Sequence, residues 1–287
     1  MLVLDDLHWA DQPSLALLQF VARELVGARL LIIGTYRAYF GNELIARARG
    51  DLEGARAFCE RGLVISLREI RLLFDLAMLD YELGESDRGE LHLSGAVELM
   101  QSSNPGPTME SSFAPYAIAY IARTEGVAGQ LEMAKEIAET NLRSPMITPL
   151  LAEINQVCLS LIAVYQEDRN AASVQHDALA SLTNRGVTAL FGSQPDHVLG
   201  LLARTAGELD QAIGHFEDAL SISRSRGYLS MLAWTCCDYA DMLKERDNEG
   251  DRAKAINLLD ESLAISSELG MRPLMERVLS RREILKA

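Results

Sequence analysis

The feature that most constrains this chain is an internal repeat. Gly207, Ala212, Ile213, Leu220, Ile222 and Ser223 recur in the same register as Gly250, Ala255, Ile256, Leu263, Ile265 and Ser266, six identities in 17 aligned positions. Gly50, Ala55, Leu63, Ile65 and Ser66 fit the pattern again, and weaker copies begin near Gly84, Gly129 and Gln166. The anchors lie 34, 45, 37, 41 and 43 residues apart. Self-similarity at this period marks a solenoid, because one such unit cannot bury its apolar face alone and stacked neighbours bury it jointly.

Within one copy, Leu209, Ala212, Ile213, Phe216, Ala219 and Leu220 fall on one helix face at steps of three and four. The alanines let a partner helix approach, Phe216 and Leu220 fill the space between repeats, and Gly207 permits a tight turn. From residue 41 to 287 the pattern predicts about a dozen antiparallel helices, paired by turns near Gly50, Gly84, Gly129, Arg169, Gly207 and Gly250. Irregular connections are expected at Ser102–Met109 and Ser144–Pro149, each with two prolines. Leu199-Gly200, Gly207, Ala212, Phe216 and Ala219-Leu220 resemble the tetratricopeptide repeat, and the longer copies look like the helical hairpins of the sensory region of MalT-type regulators.

Residues 1–40 read differently. The apolar run Leu2–Leu4 ends on Asp5 and Asp6, a helical spacing follows from Leu15 to Leu25, and residues 30–34 form a second apolar run. Strand, helix and strand in so short a span predict one right-handed βαβ unit with parallel strands. The segments 2–11 and 31–37 resemble the Walker B and sensor elements of STAND-branch, AAA-type NTPases, particularly the LuxR/MalT-like regulators that carry tetratricopeptide arrays. By that resemblance Asp5 holds Mg²⁺, Asp6 polarises the attacking water as the catalytic carboxylate, and Thr35 and Arg37 approach the γ-phosphate of the nucleotide. The fold class expected is therefore mainly α: a tetratricopeptide-like helical-hairpin solenoid with a short N-terminal βαβ remnant of a parallel NTPase sheet. His8 and Trp9 belong to the same stretch and are expected to pack at the strand–helix junction.

One departure from the family governs the functional expectation. The sequence contains no G-x-x-x-x-G-K-[ST], so the loop whose backbone N–H groups and lysine cradle the phosphates is missing. An internal deletion, a late start codon or a gene remnant would each give this architecture. Asp5, Asp6, Thr35 and Arg37 are then vestigial. The chain alone is expected to need no cofactor and to hydrolyse no ATP, with Mg-ATP used only if an upstream segment supplies the loop. With its partner strand gone, the edge of residues 31–33 is expected to lean on the helices near Leu44 and Phe58 or to invite self-association.

Composition narrows the partners. A net charge of −14 argues against general nucleic-acid binding, which needs clustered Lys and Arg. No run of apolar residues is long enough for a membrane span, and the start lacks a signal peptide's basic and apolar regions, so a cytoplasmic protein is expected. Cys59, Cys158, Cys236 and Cys237 lack metal or redox spacing and read as reduced core thiols. His92, His176, His197 and His215 sit in separate repeats without ligand partners in sequence, which argues against a metal. The basic segment Arg272–Lys286 reads as the polar face of a capping helix. The expected function is a binding module of a signalling or transcription-regulator-type protein, with a protein segment or small effector in the concave face of the array. The competing expectation is the C-terminal part of an ATP-dependent switch.

Overall fold

The computed structural model describes residues 2–4, 32–34, 39–65, 69–101, 106–124, 128–183 and 193–286. Two short strands, β1 (Leu2–Leu4) and β2 (Ile32–Gly34), pair in parallel with Leu2 opposite Ile32 and Leu4 opposite Gly34. The segment joining them lies outside the described residues, and with it the expected βαβ unit as a whole.

Everything else described is helix and turn. Thirteen helices follow: α1 (Tyr39–Ala48), α2 (Leu52–Ile65), α3 (Ile70–Glu82), α4 (Ser86–Gln101), α5 (Met109–Ile121), α6 (Ala128–Arg143), α7 (Pro149–Tyr165), α8 (Arg169–Thr183), α9 (Pro195–Ala206), α10 (Leu209–Arg226), α11 (Leu229–Arg246), α12 (Asp251–Glu268) and α13 (Arg272–Lys286). Successive helices pack as hairpins, and alternate helices α3, α5, α7, α9 and α11 also pack on one another. These form an inner layer. Ser112–Ile121 of α5 and Ser230–Ala240 of α11 are buried without a break, whereas the outer helix α10 buries only a stripe of Ala212, Phe216, Ala219, Leu220 and Ser223. No helix among the described residues is long and apolar enough to cross a membrane.

Sequence punctuation explains most boundaries. Gly207 closes α9 at φ 92°, where a side chain would be strained. Thr108 and Ser111 cap α5 reciprocally, and Thr148 with Pro149 opens α7. Gly129 departs from expectation, since it stands in the first turn of α6 and not in a turn between helices. Pro115 sits inside α5, where it deprives the Ser111 carbonyl of its helical donor. Asn141 of α6 supplies the replacement, donating from Nδ2 to that carbonyl at 2.9 Å and to Asn155 Oδ1 at 3.1 Å. The Leu199-Gly200 step has an equally direct cause: a Cβ on Gly200 would lie 3.1 Å from three ring carbons of Phe216.

The array does not stay open. Helix α1 packs on α11 and α3 packs on α13, so the first hairpins meet the last. Ser230 Oγ donates to the Arg47 carbonyl at 3.2 Å, and Arg272 Nε donates to the Leu83 carbonyl at 2.8 Å. A Cβ on Gly50 would stand 2.7 Å from Leu269 Cδ2. Helix α13 is therefore no solvated cap. Arg277 and Arg281 pair with Asp238 and Asp241 of α11, and Arg282 pairs with Asp260 of α12.

Candidate ligand-binding cavity at the hub

Closing the array brings acids and bases from distant repeats to one centre. Glu82, at the end of α3, is buried and accepts three hydrogen bonds: from Trp234 Nε1 of α11 at 3.0 Å, Tyr120 Oη of α5 at 3.1 Å and Arg123 Nη2 at 3.3 Å. Arg123 follows the C-terminus of α5, where the helix dipole favours a cation, and lies 3.7 Å from the Tyr120 ring centroid and 4.2 Å from that of Trp234. Beside it Asp238 accepts from Arg277 Nη2 at 2.6 Å and bonds His197 Nε2 at 2.8 Å. Burial alone would raise the Asp238 carboxyl, but the charge of Arg277 and the His197 bond outweigh it and hold the group well below the carboxylate range.

Behind Glu82 and Trp234, the other groups of this network wall a cavity of about 210 Å³. Tyr120, Arg123, His197, Arg204, Asp238 and Arg277 supply its polar side, while Leu161, Val164, Val198 and Leu201 supply an apolar wall. Val164, Leu201 and Arg204 also line a more polar groove with Glu167, Arg169 and Glu245. Three cations and one anion face the cavity. The Nε–H groups of Arg123 and Arg277 are buried and have no hydrogen-bond partner among the described residues. Tyr165 lines the cavity too, and burial pushes its phenol up, so it stays a neutral donor.

Ser193, His197 and Asp238 all reach this cavity, yet they do not form a nucleophilic triad. Ser193 Oγ is bonded to Tyr116 Oη at 2.9 Å, and no hydrogen bond joins it to His197. A triad requires the base within reach of the nucleophile. What remains is an arrangement for holding charge.

The residues singled out by the NTPase resemblance, Asp5, Asp6, Thr35 and Arg37, lie outside the described residues, as do His8 and Trp9. The four cysteines are free and buried, and burial pushes all four thiols up, Cys237 to about 12. The histidines, isolated in sequence, are not isolated in space. His92 Nδ1 lies 2.7 Å from Asp80 Oδ2, and His176 Nε2 lies 3.2 Å from His215 Nε2. Glu43, Cys59 and Asp75 also cluster within 4.8 Å. Arg47 already lies 3.7 Å from Glu43, and Arg71 lies 3.8 Å from Asp75, so positive charge is present there without a metal. None of the hub was readable in advance, because Glu82 and Arg277 look like ordinary polar helix residues until the array closes. A search against protein-family models gave no match for this chain, and a search of curated proteins gave none either.

Proposed function

We infer that the chain is a binding module of the helical-repeat kind, whose ligand is a small anionic effector held at the hub. The observation that carries this reading is the gathering of three guanidinium groups, Arg123, Arg204 and Arg277, on one cavity wall opposite an apolar wall, each guanidinium held in place by a carboxylate partner. A guanidinium has five N–H donors, so one that already holds a carboxylate can still donate a charge-assisted hydrogen bond to an anion in the cavity. At about 210 Å³ the cavity suits a small effector, the one of the two expected occupants that this reading takes up. The apolar wall favours a short hydrocarbon or aromatic body on that anion.

Calorimetry and Trp234 fluorescence against acetate, butyrate, hexanoate, benzoate and phosphate test this directly, with the matching amides as neutral controls. Saturable binding of an anion but not its amide is expected, with loss in Val164→Phe, which fills the cavity and leaves the charges alone. Absence of binding at millimolar anion, or binding indifferent to Val164→Phe, refutes it.

A second reading rests on a separate observation. The parallel pairing of β1 with β2 supports descent of residues 1–40 from an NTPase sheet in which Walker B and sensor strands are neighbours. On that reading the repeat array is the sensory arm of an ATP-dependent switch, and nucleotide binding returns only when a phosphate loop is supplied.

A further inference from the structure

We propose that His176 and His215 form a two-histidine site for a divalent transition metal, of the zinc or copper class, clamping α8 to α10. The site is independent of the hub cavity. Its core is a distance: the two Nε2 atoms approach to 3.2 Å. Two imidazoles bound to one tetrahedral zinc, with Zn–N near 2.0–2.1 Å, place their nitrogens about 3.3–3.4 Å apart. The span between these rings is already that of a chelate, and the rings meet edge-on at 62° without stacking.

The other ring nitrogens carry the second argument. Asp196 Oδ1 lies 3.6 Å from His215 Nδ1, and Asp177 Oδ1 lies 3.7 Å from His176 Nδ1. Both distances lie just beyond hydrogen-bond reach, so a small side-chain adjustment would give each Nδ1–H the carboxylate partner that fixes the tautomer of a metal-bound histidine and raises its basicity. In the metal-free protein one Nε2 donates to the other. Coordination needs both Nε2 lone pairs, so the donor ring moves its proton to Nδ1, where a carboxylate faces it.

His176 is buried, with 11% of its side chain exposed, and His215 keeps 21%, so the pair lies at the edge of the solvent. Among the described residues no third thiol, imidazole or carboxylate completes a set within 4.8 Å, which leaves the remaining positions for water or an added ligand. The two histidines come from the outer helices of successive hairpins, so the metal would tie one repeat to the next.

The test uses the full chain, stripped with chelator and titrated with Zn²⁺ by calorimetry near pH 7.5. One equivalent is expected to bind and to raise the thermal midpoint. His176→Gln and His215→Gln should each weaken binding at least about 100-fold, and Asp196→Asn about 10- to 100-fold. Because a variant could lose its fold, histidine-ring ¹⁵N spectra of the unmodified protein provide a second readout. Zinc should shift Nε2 of two of the five imidazoles and no others. Absence of saturable binding at millimolar Zn²⁺, survival of the site in the double His variant, or shifts confined to other imidazoles would overturn the proposal.

Discussion

Glu43 of α1 should make this protein less stable as the pH rises, and replacing it with glutamine should remove that loss. The carboxylate is fully buried, and neither of its oxygens has a hydrogen-bond partner among the described residues. Arg47 stands 3.7 Å away but is shared with Asp75 at 4.0 Å, and Arg71 pairs with Asp75 at 3.8 Å, so no guanidinium is given to Glu43 alone. Burial first, and then the charge of Asp75, push Glu43 up to about 8 from an ordinary 4.5. The sign follows by linkage. Below pH 4.5 the group is protonated in folded and unfolded chains alike, and its stabilising contribution is complete. Between 4.5 and 8 only the unfolded chain gains by ionising, at about 1.4 kcal/mol per pH unit, and above 8 the loss is finished. The full window is worth up to about 5 kcal/mol. Urea unfolding of wild type and Glu43→Gln at pH 5 and pH 8.5 isolates this group and its coupling to Asp75, since more distant titrations cancel between the two proteins. The variant should match wild type at pH 5 and exceed it by several kcal/mol at pH 8.5. A variant that loses more stability at pH 8.5 than at pH 5 would refute the reasoning. It would mean that Glu43 is ionised in the fold and that its removal strands Arg47.

Trp234→Phe keeps most of the ring but removes the indole donor to Glu82, and should cost about 1.5–3 kcal/mol in chemical denaturation. Gly200→Ala drives a methyl against Phe216 and should destabilise by about 1–3 kcal/mol. Gly214→Ala, on the open face of α10 with nothing within 4 Å, should stabilise by about 0.5–1 kcal/mol. Mg-ATP at millimolar concentration should give no binding heat with the chain alone, and Asp6→Asn should leave its melting temperature unchanged; micromolar affinity would show that a phosphate loop is dispensable here.

The helical hairpins were legible because their signals are local. Apolar spacing at three and four marks the buried stripe of α10, and glycine marks the positive-φ turns at 50, 84, 207 and 250. Pro115 would have argued for a helix end, and only the side chain of Asn141, in the next helix, explains why α5 runs through it. The hub is a different kind of information. Glu82 and Trp234 are separated by 152 residues, and their meeting depends on small rotations accumulated over every hairpin between them. Periodicity tells which face of a helix is buried and says nothing of which distant residue buries it. The same holds for His176 and His215, which neighbouring repeats bring together without any shared motif.

Closure of the array also changes how the protein comes apart. An open solenoid is a one-dimensional stack in which terminal repeats fray first and unfolding can travel inward unit by unit. Here the ends are neighbours. Releasing α1 and α2 exposes α11, and releasing α13 exposes α3. Fraying at one end therefore removes support from the other, and the described helices should melt as one cooperative body, with the slowest amide exchange in the inner helices that have no free face.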